Sequence, residues 1–171
     1  MVQGHKRRSH EHRNDLAGEY KWGDIGQIIF LIVFIIGMVS DLFLLKISDS
    51  WQSSFAWYFR LVFFIPLLFV AAYFAQKAHK IIFEEERKGL MVIKTSVYAR
   101  IRHPMYFGSI VTYLAFVILS LSVISLVIFV LVVIFHYCIC RYEEKILIEK
   151  LGDEYKIYMK NVPMLFPKIG K

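Results

Sequence analysis

Cysteine is scarce in this chain: Cys138 and Cys140 are its only two. They stand two residues apart in one apolar run, so on a helix they point to different faces and do not readily bond to each other. A disulfide scaffold is thereby excluded, and both read as small core residues. Charge is sparse as well, at 20% of the residues, while 57% are hydrophobic. An ordinary soluble domain has roughly 25% charged and 45–50% apolar residues. A disordered chain and a typical water-soluble enzyme are excluded on the same grounds. No Gly-x-Gly-x-x-Gly motif occurs, and no Ser-His-Asp arrangement can be defended. Internal repeats, heptads and low-complexity segments are also missing. The first 24 residues are polar and lack an apolar h-region, so no cleavable signal peptide is expected.

What is present in excess is long apolar runs. A bilayer core about 30 Å thick takes ~20 apolar helical residues to cross. Residues 25–45 and 55–75 each fit one span. The first carries Asp41 near its far end. The second carries Arg60 near its start and Pro66 in its middle, where the missing backbone donor predicts a kink. Asp41 and Arg60 fall at similar depth on the same side, and an ion pair or simple snorkelling is expected there. The run at residues 105–140 is too long for one crossing, since a single helix would extend ~54 Å. Ser120, Ser122 and Ser125 lie near its centre, and a tight helical hairpin is expected between spans 105–120 and 123–140.

Charge placement supports that hairpin. Lysine and arginine total 21 against 14 acidic residues, a formal charge of +7. The basic residues gather at the ends of the runs. Lys6, Arg7, Arg8, Arg13 and Lys21 precede the first span, and Lys77, Lys80, Arg87, Lys88, Lys94, Arg100 and Arg102 follow the second. Arg141, Lys145, Lys150, Lys156, Lys160, Lys168 and Lys171 follow the last, whereas the loop between the first two spans has only Lys46. Positive-inside placement then puts both termini and the long middle loop in the cytoplasm. A nucleic-acid partner is not needed to explain the basic charge.

The predicted fold is therefore all-α: a polytopic integral membrane protein of about four transmembrane helices, with the hairpin in its C-terminal half. Residues 1–24 form a polar basic segment, and residues 25–171 form a single membrane domain. Beyond the last span, Leu147, Leu151, Tyr155 and Tyr158 make one apolar stripe, interrupted near Gly152. This cytoplasmic C-terminal helix would lie on the membrane surface or cover the ends of the spans. Pro163 and Pro167 end regular structure.

The hairpin brings two polar clusters together. Tyr98, Arg100, Arg102, His103, Pro104, Met105 and Tyr106 precede it, and Arg141, Tyr142, Glu143 and Glu144 follow it. The first is cationic and aromatic, the second adds carboxylates. Such a set suits a zwitterion beside a cation: Arg102 or His103 for a carboxylate, Glu143 or Glu144 for an ammonium, and tyrosine faces for a sulfonium. That describes the methionine end of S-adenosylmethionine. A snorkelling interfacial belt is the bland alternative. His136 lies about one turn from Cys140 and reads first as a bundle residue. No metal is expected: His5, His10 and His12 have no supporting ligand cluster, and the spacing puts His10 and His12 on opposite sides of a helix. The run Glu84 to Lys88 reads as a solvated helical face.

The Arg-His-Pro-x-Tyr motif at residues 102–106, then Gly108, resembles the isoprenylcysteine carboxyl methyltransferase family, whose broader group includes phospholipid and small-thiol methyltransferases. So do Glu143 and Glu144, followed by Leu151, Gly152 and Tyr155, and then by Val162, Pro163, Phe166 and Pro167. The resemblance covers roughly residues 77–168. It implies an integral-membrane enzyme using S-adenosylmethionine and releasing S-adenosylhomocysteine, with a cytoplasmic site closed by the C-terminal segment. By position, Leu90, Met91, Val92 and Ile93 would line the adenosine region, Tyr98 would contact the cofactor, His103 to Tyr106 would hold its methionine portion, and Glu143 its amino group.

The resemblance implies a lipophilic small-molecule or prenylated acceptor reaching the site from the bilayer. Its prenylcysteine members carry a substrate-binding arginine four residues before the cofactor glutamate, where this chain has Ile139. Arg141 is nearby, but two residues turn a helical side chain by about 200°, so it substitutes only if the helix unwinds. Carboxylate acceptors are already ionised at neutral pH, whereas an amine or thiol needs a base such as Glu144 or His136. Phospholipid amines, small thiols, a non-enzymatic membrane scaffold and, more remotely, a nicotinamide-dependent reductase are the alternatives.

Overall fold

The computed structural model describes residues 21–84 and 91–167. Every regular element among them is helical. Helix α1 (Lys21–Ser40) continues through a π-helical turn, Asp41–Leu45. A short helix α2 (Asp49–Ser54) follows, then α3 (Trp57–His79), which runs uninterrupted through Pro66 into a second π-helical turn, Lys80–Glu84. A single 3-10 turn, Ser96–Ala99, leads to α4 (Pro104–Ser120) and α5 (Val123–Asn161). Three of these helical stretches, Gly23–Leu45, Trp57–Ile82 and Val123–Asn161, are long and apolar enough to cross a membrane, and Pro104–Ser120 is a shorter apolar helix. The protein is an all-α, multi-pass integral membrane protein.

The outward side chains explain why the bundle belongs in lipid. Ile28, Ile32 and Ile36 on α1, Val62 and Phe69 on α3, and Val127, Val130 and Ile134 on α5 are all exposed. In water such continuous apolar surface is not tolerated. Helix α4 behaves oppositely and buries Phe107, Ile110, Val111, Tyr113, Ala115 and Val117. It packs against both α3 and α5, and α1 packs against α5, with Phe34 reaching Tyr113 of α4. With no hydrophobic drive between helices in lipid, close approach must come from small residues. At Gly108 an added methyl would stand 3.0 Å from the Ala71 carbonyl and 3.4 Å from Ala75 Cβ. At Gly37 it would meet Ile128 Cδ1 at 2.5 Å.

The expected hairpin is present. Leu121 takes the left-handed conformation (φ 49, ψ 30) and its N–H reaches the Val117 carbonyl at 2.8 Å. Ser122 then caps α5 by accepting from Ser125 N at 3.1 Å. Pro104 at the first turn starts α4, where its missing N–H costs nothing. Two sequence expectations are revised. Helix α5 does not stop at Cys140, because no breaker follows until Gly152, where φ 59 and ψ −134 interrupt the helix. Asp41 does not take Arg60 as its partner. Its Oδ2 accepts from Ser48 Oγ and Ser122 Oγ, both at 2.5 Å, and Oδ1 accepts from Ser48 N at 3.2 Å. Arg60 instead donates to the carbonyls of Phe55, Leu119 and Gln52. Hydroxyls adjacent to the two turns reach a buried carboxylate that a more distant guanidinium does not.

The apolar stripe after Cys140 covers the chain's own polar end. Tyr155, Tyr158 and Val162 bury Val92, with Leu147, Ile148, Leu151 and Met159 packed around them. The continuation of α5 therefore folds onto the loop preceding α4.

Candidate functional site

Three pieces of chain converge at the charged end of the bundle. One is the turn entering α4, with Arg102 and His103. The second is the first turn of α4, with Tyr106. The third is the face of α5 that carries Cys140, Glu143 and Glu144, which is three to four residues per step and so lies on one side. The C-terminal segment ties them together: Arg102 N donates to the Pro163 carbonyl at 2.9 Å and His103 N to the Met164 carbonyl at 3.1 Å. Leu165 is buried beside Ile110 and Cys140. Tyr158 donates its hydroxyl to the Tyr98 carbonyl at 2.5 Å.

Within this frame the charges face one another. Arg102 Nη1 lies 2.9 Å from Glu144 Oε1, with side chains only 9% and 2% exposed. His103 spans both carboxylates, with Nδ1 3.5 Å from Glu143 Oε2 and Nε2 3.4 Å from Glu144 Oε1. Tyr106 donates its hydroxyl to Glu143 Oε1 at 2.5 Å. Burial pushes the His103 imidazole down, but hydrogen bonding with Cys140, Glu143 and Glu144 outweighs it and holds the group well above the ordinary histidine value. The two carboxylates thereby favour the protonated ring. Arg102 Nε and Glu144 Oε2 are buried without a hydrogen-bond partner among the described residues. Desolvated charges of this kind retain unused bonding capacity that a polar ligand can satisfy.

The expected site residues separate into groups. Arg102, His103, Pro104, Tyr106, Glu143 and Glu144 come together. Tyr98 is buried just below them, in the cluster with Ile101 and Phe107. Val92 and Ile93 line the neighbouring apolar layers, whereas Met91 and Met105 are largely exposed. Leu90 lies outside the described residues, as do His5, His10, His12 and most of the run Glu84 to Lys88. Arg141 is exposed on an unbroken stretch of α5, while Ile139 is buried, so Arg141 does not join the cluster. Among the described residues no three or more His, Cys, Asp or Glu side chains are arranged so that they could hold a metal ion. Cys140, buried against His103, is a participant that its spacing from Glu143 and Glu144 would have revealed.

The sequence profile of the phospholipid methyltransferase family matches residues 35–154. A curated relative, the methanethiol S-methyltransferase of Crocosphaera subtropica, is 33% identical over 91 residues, which is 52% of this chain and 34% of the relative. The chain thus spans about a third of that relative's length. No solved structure matches.

Proposed function

The chain belongs to the phospholipid methyltransferase family, and from that membership we propose that it transfers a methyl group from S-adenosylmethionine to a lipophilic acceptor at the cytoplasmic face of a membrane. One observation carries the reading: two carboxylates, Glu144 buried and Glu143 largely so, face the Arg102 guanidinium and the His103 imidazole, and the Tyr106 hydroxyl donates to Glu143. This donor set fits the cofactor. Its ammonium matches Glu143, which is the less buried carboxylate at 13% exposure. Its carboxylate matches His103 and Arg102. When bound, the sulfonium supplies an already activated methyl group. The protein's part is to orient, to exclude water and to supply electrostatic complementarity. Tyr106 and the strap of residues 163–165 hold His103 and Glu143 in register for that. Residues 25–171 act as one membrane domain, with both termini cytoplasmic as the basic residues indicate. Thiol labels introduced at residues 2 and 171 are then reached from the same, cytoplasmic side.

The acceptor suggested by the motif resemblance is a prenylcysteine carboxylate. Its carboxylate needs a cation, and on the face of α5 where one is required Ile139 is buried. A small thiol is the second reading, favoured by the relative named as a methanethiol S-methyltransferase. Calorimetric titration of the detergent-solubilised protein with S-adenosylhomocysteine tests the cofactor assignment. Saturable binding that is lost in Glu143→Ala is expected. Equal binding by wild type and the variant refutes the role of Glu143, and no binding by a folded wild type refutes the whole reading.

A further inference from the structure

The face of α5 that carries Cys140, Glu143 and Glu144 also carries His136, which the ion-pair cluster does not use. His136 is fully buried, at 0% exposure. Its Nδ1 lies 2.8 Å from the Val132 carbonyl oxygen. A carbonyl only accepts, so Nδ1 carries the hydrogen. In the neutral ring Nε2 is then the lone-pair nitrogen. It is buried and has no hydrogen-bond partner among the described residues. The ring stands edge-on to Tyr106, with centroids 5.5 Å apart, and Tyr106 is the residue whose hydroxyl reaches Glu143. Seven residues separate His136 from Glu143, so this nitrogen lies on the same face and about 10 Å deeper along α5.

We propose that His136 Nε2 takes the proton of the methyl acceptor, and that the acceptor is therefore a weakly acidic nucleophile, a thiol or an amine. The inference rests on the methyltransferase reading above. The S–H or N–H bond breaks as its proton passes to Nε2. The pair left on sulfur or nitrogen forms the new bond to the sulfonium methyl carbon. The old carbon–sulfur pair stays on the departing thioether, and the imidazolium later returns its proton to water. A carboxylate acceptor brings no proton and leaves this nitrogen without a task. The titratable groups beside His136 are Tyr106 from α4, against its ring, and Cys140 and Glu143 one and two turns along α5 itself; the charge of Asp24 on α1 reaches Tyr106. None of them bonds Nε2.

His136→Phe keeps an aromatic ring against Tyr106 and removes the base. In detergent, its S-adenosylhomocysteine affinity should match wild type within about twofold. With an aliphatic thiol or phosphatidylethanolamine, whichever wild type methylates, kcat should fall about 10²- to 10⁴-fold, with loss of the lower limb of the pH profile. An electron-poor thiophenol, ionised at neutral pH, should restore most of the rate. Unchanged turnover and pH profile in a variant that binds the product overturn the assignment, as does a wild type that methylates farnesylcysteine alone. Failure of wild type to bind S-adenosylhomocysteine overturns the underlying reading instead. Should the variant not fold, the ¹⁵N spectrum of labelled wild type decides: a pyridine-type Nε2 supports the proposal, and an Nε2–H tautomer overturns it.

Discussion

Glu143 and Glu144 are adjacent in sequence, yet the fold gives them different work, and substitution to alanine separates the two. Glu144 is 2% exposed and lies 2.9 Å from Arg102 Nη1, itself 9% exposed. Removing its carboxylate leaves a guanidinium in a desolvated site, an effect worth about 3–5 kcal/mol. Glu143 is 13% exposed and gives up the Tyr106 hydroxyl at 2.5 Å and a looser His103 contact at 3.5 Å. That loss is about 1.5–3 kcal/mol. Glu144→Ala should therefore unfold at markedly lower denaturant than Glu143→Ala, while Glu143→Ala loses more affinity for S-adenosylhomocysteine. The double variant Arg102→Met, Glu144→Leu removes both charges, so its unfolding should recover most of the stability lost in Glu144→Ala. A double-mutant cycle in detergent reads this directly. Equal stability of the two single variants, or no recovery in the double, would refute the assignment of Glu144 as the counter-ion of Arg102.

Two further outcomes follow from the same physics. Asp41→Ala strands the hydroxyls of Ser48 and Ser122 at the far end of the bundle, at a cost of about 1–3 kcal/mol for each buried group left unpaired. A lower thermal midpoint with unchanged product affinity is expected, and a change in affinity alone contradicts a purely structural role. The folded protein binds the His103 proton more tightly than the unfolded chain. Its stabilisation is therefore full below the ordinary value of 6.5 and is lost as pH rises through the higher value of the fold. Thermal midpoints measured across neutral to alkaline pH should fall in wild type and stay flatter in His103→Gln.

Apolar run lengths and basic residues at their ends were enough to establish a helical, multi-pass membrane protein with a hairpin after Ser120. Those properties depend on hydrophobic thickness and on charge near the ends, and both are local to the chain. The cationic cluster at residues 102–106 and the carboxylates at 143 and 144 were legible because a hairpin must bring its ends together. The partners were not. Pairing of Arg102 with Glu144 rather than Glu143, and of Asp41 with two serines rather than Arg60, depends on helix rotation and on turns distant in sequence. The strap of Pro163 and Met164 on Arg102 and His103 is a backbone contact with no side-chain signature. The bare Nε2 of His136 emerges only when burial and the Val132 carbonyl are known together. Composition and period determine where a helix lies relative to lipid, whereas close packing between segments far apart in the chain decides which polar atoms meet.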